Sequence, residues 1–274
     1  MVNLKVNGTT AKDVFAASAA GEDFNGLYNF DSVSYAAATS NVWVDLANGA
    51  HNTNDAAGDT YTSIEAFSLT KFADLFDGST GNDIVNGGAG SDVLNGKNGN
   101  DALTGDVGND TLNAGNGNDA AWGGGGNDKM WGDSGNDTII GGADTGSFVG
   151  VDSTVTTLVK TGRFTAHYVT VVTHSVDQIV AGDTLTGGAG ADTFTYNIGD
   201  GVDQINDFIK GVDHINLAAS WFDGNKANGE VLSFARGVDT MITFSETSVD
   251  GMVDNNGILL KNFAASAFDM SLFV

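Results

Sequence analysis

Apolar residues recur at every ninth position from Asp77 to Ile139, separated mostly by glycine and small polar residues: DGSTGNDIV, NGGAGSDVL, NGKNGNDAL, TGDVGNDTL, NAGNGNDAA, WGGGGNDKM, WGDSGNDTI. The recurring apolar position is Val85, Leu94, Leu103, Leu112, Ala121, Met130 and Ile139, each two residues after an Asp. A period of nine with fixed offsets specifies a solenoid. Each nonapeptide divides into a six-residue turn and a three-residue strand, x-apolar-x, whose middle side chain alone points inward. Two nonapeptides make one coil. The predicted fold class is all-β, a parallel β-roll solenoid with β capping segments and an inserted β-hairpin.

The register extends past the regular repeats. Glu65 with Phe67, Asp74 with Phe76, and Phe148 all fall on it, which places the start of the solenoid near residue 60. Upstream, Val42, Val44 and Leu46 alternate with Trp43 and Asp45, and Val33 and Tyr35 flank Ser34, a pattern of short half-buried strands. They are expected to cap the roll, because an open coil end exposes apolar side chains and unpaired strand edges. Residues 144–180 break the repeat: they are β-branched and divide at Thr161, Gly162 and Arg163, as a hairpin or a pair of long strands would. Asp183 and Asp192 then restore the spacing, with Leu185 at the inward position. The expected division is a β cap over 1–64, a roll over 65–148, an inserted hairpin over 149–180, and a second roll segment with a C-terminal cap over 181–274.

The spacing decides which carboxylates are neighbours. Successive Asp residues lie on opposite coil edges, so spatial neighbours are eighteen apart in sequence, one strand spacing of about 4.8 Å. One edge carries Asp83, Asp101, Asp119 and Asp137, and the other Asp92, Asp110 and Asp128. Like charges stacked so closely repel unless a cation lies between them. Carboxylate and carbonyl oxygens, with no cysteine and no paired histidines, suit Ca²⁺. A flexible Gly/Asp linker would need no apolar residue at each ninth position.

The run GGAGSDVL at 87–94, its companions, and GGAGADTF at 187–194 resemble the RTX (repeats-in-toxin) calcium-binding repeat, G-G-x-G-x-D-x-U-x. The resemblance implies a parallel β-roll holding several Ca²⁺ between Asp carboxylates and turn carbonyls of adjacent coils. It implies metal-site roles for Asp83, Asp92, Asp101, Asp110, Asp119, Asp128, Asp137, Asp183 and Asp192. The turn glycines carried over with them are Gly78, Gly81, Gly87, Gly90, Gly96, Gly99, Gly105, Gly108, Gly117, Gly126, Gly135, Gly187 and Gly190. Lys97, Asp106 and Asp133 depart from the pattern at the second glycine, and Ala114 at the first. Residues 31–49, with 59–67 after them, resemble the degenerate module that often precedes such repeats, and 183–217 the segment that ends the roll in serralysin-type proteases and mannuronan epimerases. A protease domain is missing, since there is no H-E-x-x-H and His51, His167, His174 and His214 are scattered.

The chain carries 35 acidic and 11 basic residues, a net charge of −24, and no cysteine. Roughly seven Ca²⁺, one per regular-repeat Asp, would cancel about 14 of those charges. Nucleic acid is excluded as a partner for want of a basic stripe. Membrane insertion is disfavoured by the absence of a long apolar run, and MVNLKVNGTT has neither the basic start nor the apolar core of a signal peptide. Calcium sites of the extracellular kind would nevertheless stay empty at cytosolic calcium. The C-terminal LLKNFAASAFDMSLFV, with Asp269 before the apolar Leu272, Phe273 and Val274, resembles the uncleaved signal of type I secretion, and it also reads as a final strand packing on the roll. The expected location is therefore outside the cell or on its surface, reached through a type I secretion apparatus.

Three functions compete. A non-catalytic structural, adhesive or carbohydrate-binding protein needs nothing further, and Trp122 and Trp131 offer stacking surfaces for extracellular polysaccharide. A lyase-like, polysaccharide-modifying enzyme would draw on Lys160, Arg163, His167, Tyr168 and His174. A membrane-active RTX protein, resembling the small nodulation-signalling member of the family, would need an amphipathic helix that the pattern does not contain.

Overall fold

The computed structural model describes residues 4–18, 21–143, 147–149, 153–159, 169–174, 178–180, 182–196, 202–217, 230–236, 239–245 and 256–263. Among them there is no α-helix, and strands stack into two long faces. One face runs Val14–Ala16, Ser32–Ser34, Ala66–Ser68, Ile84–Ala89, Ala102–Val107, Ala120–Gly125, Thr138–Ala143, Thr193–Tyr196 and His214–Leu217, all parallel. The other runs Trp43–Asp45, Leu75–Asp77, Val93–Asn98, Thr111–Asn116, Lys129–Ser134, Thr184–Thr186, Val202–Ile205 and Asn256–Leu260 in parallel, and closes with Asp239–Ser245 and Glu230–Arg236 in antiparallel. The fold is a parallel β-roll.

The inward row follows the nine-residue period. On the first face Phe15, Val33, Phe67, Val85, Leu103, Ala121, Ile139, Phe194 and Ile215 are register partners in succession, all buried. On the second, Val44, Phe76, Leu94, Leu112, Met130, Leu185, Ile205 and Leu260 do the same. The two rows meet between the faces as one continuous core.

The strands are longer than the hydrophobic period announces. Each regular strand spans six residues, because backbone pairing resumes after the fourth, as in Lys97↔Gly115 and Asn98↔Asn116. That fourth residue, Gly96 or Ala114 for example, is buried as well, so the apolar side chain is not alone in facing inward. Glycine carries no hydrophobic signal, and the second half of each strand is invisible to an apolar count.

Two positions differ from expectation. The roll starts at Val14, some two coils before residue 60, and Leu4–Asn7, Glu22–Asn25 and Thr60–Thr62 form a short parallel sheet whose Phe24 joins the same core. Phe148 is not in the roll. It pairs antiparallel with Ile179, in a ribbon that closes the excursion, and beyond the ribbon Ser153–Val159 pairs antiparallel with Val169–His174. The roll then resumes directly, Met130 pairing with Leu185 and Ile139 with Phe194.

Candidate metal sites at the coil ends

Each repeat Asp ends a turn and is buried to within a few per cent, although carboxylates are seldom found there. From Asp92 onward its Oδ1 accepts the backbone N–H of the Asp one coil earlier. Asp101 takes the Asp83 amide at 2.8 Å, Asp119 the Asp101 amide at 2.7 Å, and Asp137 the Asp119 amide at 2.8 Å. On the opposite edge Asp92 accepts from Asp74 at 2.8 Å, Asp110 from Asp92 at 2.8 Å, and Asp128 from Asp110 at 2.7 Å. The ladder steps over the insert without a break: Asp183 accepts from Asp128 at 2.6 Å and Asp192 from Asp137 at 2.9 Å, partners 55 residues apart instead of 18.

The second oxygen has a different fate. Oδ2 of Asp92, Asp101, Asp110, Asp119, Asp137 and Asp192 is buried with no hydrogen-bond partner. A buried acceptor left bare is costly, more so when ionised. A Cβ built on Gly96 would overlap Asp101 Oδ2 and the Ala114 carbonyl, and one on Gly105 would meet Asp110 Oδ2 and the Gly123 carbonyl. Gly87, Gly123, Gly132 and Gly187 stand beside Asp92, Asp128, Asp137 and Asp192 in the same way. Carboxylate and carbonyl oxygens thus converge beside these glycines, Ala114 taking the same place beside Asp119, and hard oxygen donors of this kind fit Ca²⁺. Among the described residues no three His, Cys, Asp or Glu side chains converge, so such a site draws on main-chain oxygens for much of its ligation.

Without a counter-charge these acids resist ionisation. Burial pushes Asp92 and Asp101 up to about 7 and Asp137 to about 6, with smaller upward pushes from neighbouring carboxylates and a downward pull from the accepted amide. Asp110, Asp119 and Asp192 move in the same direction, again by burial.

Asp83 departs from this pattern. Its Oδ2 accepts the Ser79 amide at 2.7 Å and lies 3.2 Å from Ser79 Oγ, so the turn's own hydroxyl residue saturates it. Asp74 is held likewise by Thr70.

The remaining turn glycines do different work. From Gly90 onward the third glycine of each turn sits on the backbone of the preceding coil: a Cβ on Gly99 would strike the Gly81 carbonyl, on Gly108 that of Gly90, on Gly117 that of Gly99, and so on through Gly126, Gly135 and Gly190. From Gly88 onward the second-glycine position is left-handed, even where Lys97, Asp106 and Asp133 occupy it with φ of 76°, 79° and 68°. Asn residues preceding the Asp form a counter-running ladder that the sequence reading missed: Asn82 Oδ1 accepts the Asn100 amide at 2.8 Å, and Asn100 Oδ1 the Asn118 amide at 2.9 Å. Also missed were Asp203 and Asp213, which continue the carboxylate ladders by accepting the Asp183 and Asp192 amides at 3.3 and 3.2 Å. Their spacing of 20 and 21 breaks the period, yet each stands two residues before an inward Ile, 205 or 215.

Trp122 and Trp131 lie on opposite faces, flanked by Thr104 and Ile140 and by Asn113 and Thr186, and cannot form one stacking platform. Lys160, Arg163, His167 and Tyr168 lie outside the described residues, as do Asp269, Leu272, Phe273 and Val274. No helix among the described residues is long and apolar enough to cross a membrane.

An acidic parallel roll whose coil ends gather buried carboxylate and carbonyl oxygens defines a class, the calcium-binding repeat proteins. Within it, residues 70–103, 104–139, 113–146 and 182–203 match the family model of the RTX calcium-binding nonapeptide repeat, and these stretches of the chain are RTX repeats. No curated protein matches the chain. Solved structures match at low identity, and two of them illustrate the likeness. One is the AlgE6R3 subunit of the Azotobacter vinelandii mannuronan C5-epimerase, at 19% identity and a TM-score of 0.34 over 74% of this chain and 78% of that one. The other is the extracellular lipase LipA of Serratia marcescens, at 15% and 0.29 over 74% of this chain and 40% of that one.

Proposed function

We propose that the chain is a secreted, non-catalytic structural or adhesive protein whose roll folds on calcium after type I export. The observation that carries this reading is the row of buried Oδ2 atoms without partners beside main-chain carbonyls. Asp92, Asp101, Asp110, Asp119, Asp128, Asp137, Asp183 and Asp192 would hold the ions, with the open turns at Gly87, Gly96, Gly105 and Gly187 giving access to carbonyl oxygen. Bound Ca²⁺ supplies positive charge at the coil ends, and the residues supply fixed oxygen donors. Binding free energy becomes folding free energy when no site exists in the unfolded chain. Such a chain passes the secretion channel unfolded and acquires its shape in millimolar calcium outside. A chain with net charge −24 and no cysteine suits that route, since neither disulfides nor a reducing interior matters to it.

The experiment is a calcium titration of the purified chain followed by circular dichroism. A cooperative gain of strand signal is expected, and equal strand content in EGTA and in millimolar Ca²⁺ would refute the reading.

A further inference from the structure

The turn from Gly26 to Asp31 lies outside every matched repeat, yet it reproduces the open turns of the roll. Asp31 is fully buried, its Oδ1 accepts the Asp13 amide at 2.7 Å, and its Oδ2 has no hydrogen-bond partner. A Cβ on Gly26 would overlap that Oδ2 and the Ser63 carbonyl of the following coil, as one on Gly96 would overlap Asp101 Oδ2 and the Ala114 carbonyl. Four residues before Asp31, Leu27 has φ 72°, and two before it Asn29 has φ 73°; the corresponding residues of the roll are Lys97 at 76° and Gly99 at 124°. Aligned on the acid, NGLYNFDSV at 25–33 lies over NGKNGNDAL at 95–103, with Val33 in the inward place of Leu103.

The backbone of this turn is strained. A branched residue in the left-handed region persists only where its surroundings demand it, and Leu27 is 40% exposed, so no burial of its side chain offsets the strain. The neighbouring coil shows the alternative. At Asp13 the Oδ2 accepts the Thr9 amide at 2.6 Å, and the turn closes on itself. Asp31 has Leu27 where Asp13 has Thr9, and no hydroxyl reaches it.

We propose that Asp31, the Gly26 turn and the Ser63 carbonyl form a further Ca²⁺ site within the N-terminal cap, hidden from the repeat pattern by Leu27 and Asn29. Glu65, whose Oε2 accepts the Asp31 amide at 2.9 Å, is the carboxylate of the following coil. An ion here ties the cap to the first coils of the roll. The inference rests on the reading that repeat Asp residues hold Ca²⁺, and the test separates the two.

Bound calcium is counted by elemental mass spectrometry after dialysis of the full chain at saturating Ca²⁺, for wild type, Asp31→Asn and Asp101→Asn. Asn keeps the Oδ1 acceptor and removes the charge. Each variant is expected to lose one ion per chain. If Asp101→Asn loses an ion and Asp31→Asn keeps the full complement, the cap site is overturned and the repeat sites stand. If both keep it, both readings fall. Should Asp31→Asn fail to fold, Gly26→Ala, which crowds the opening while keeping every carboxylate charge in the chain, is expected to show the same loss. Wild-type hydrogen exchange decides independently: amides 26–33 should slow with Ca²⁺, and exchange there unaffected by the ion overturns the proposal.

Discussion

The cap and the regular roll bury the same group in the same place and satisfy it differently. In the cap, Asp13 meets Thr9, Glu22 meets Ser18, and Asp59 accepts from Tyr35 at 2.6 Å and from the Glu22 amide at 2.7 Å, and the first acids of the roll, Asp74 and Asp83, meet Thr70 and Ser79 in the same way. The core there is aromatic, with Phe24 stacked on Tyr61 at 6.0 Å and Phe67 against both Tyr61 and Phe76 at 5.2 Å. Further along the roll the Oδ2 atoms of Asp92, Asp101, Asp110, Asp119, Asp137 and Asp192 are bare, and the inward row there is one modest side chain per half coil, down to Ala121. A buried acid can therefore be answered from within the turn by a hydroxyl residue or from outside by an ion. The first makes a segment that folds on its own terms, the second a segment that folds on condition. Asp31 is the point at which the cap adopts the roll's solution.

Calcium removal should give the largest difference between the regions. Each ion at tenfold its dissociation constant contributes about 1.4 kcal/mol, so loss of several lowers the roll's Tm by on the order of 20 °C. Hydrogen exchange in EDTA should show protection lost over 84–140 and retained at Phe24 and Phe67; equal loss in both would break the comparison. Next come core truncations. Met130→Ala should cost about 2–5 kcal/mol and Phe67→Ala about 3–5 kcal/mol in calcium, by thermal melts. In EDTA only the Phe67 change should still register, because only the cap remains folded.

Acidity offers a finer test. The folded-state values of Asp92 and Asp101 are raised to about 7 and that of Asp137 to about 6, above the ordinary carboxylate range near 4. The folded, metal-free roll therefore binds more protons than the unfolded chain. Its stability is full below about pH 4 and is lost as pH rises toward 7. In EDTA the roll, unfolded at pH 8, should regain strand signal as the pH is lowered toward 5, opposite to ordinary acid denaturation. In calcium the gain should vanish or reverse, since protons and ions compete for the same oxygens. The smallest effect concerns Asp106, held at φ 79° beside Asp110 and raising its pKa. Asp106→Gly should stabilise the calcium-bound roll by about 0.5–1 kcal/mol, the left-handed strain relieved less the entropy that glycine adds.

What could be read from the sequence was set by how each residue does its work. The inward row from Val85 to Ile139 and the acids two residues before it declare themselves, because side-chain chemistry there repeats with the geometry. The long strands do not, since Gly96 has no side chain to mark it and Lys97 pairs through its backbone. Nor do the early coils, where Leu27, Asn29 and Ser63 reach left-handed conformations that the repeat usually assigns to glycine and Glu65 replaces an Asp. Asp203 and Asp213 escaped because connections of irregular length moved them off the period while the ladder kept its step.

The unbroken ladder across the insert has a consequence for how such chains change over time. Asp128 grips Asp183, and Asp137 grips Asp192, just as neighbouring coils grip one another, so the rod does not register what was looped out between them. The ribbon of Phe148 and Ile179 brings the two ends of the excursion together before the roll resumes. Once the ends are held, closing a longer or shorter excursion adds only about 0.6 kcal/mol per doubling of its length. A position of this kind is a docking port for foreign sequence: a lineage, or an engineer, can exchange the passenger between residues 149 and 178 while the rod carries it unchanged.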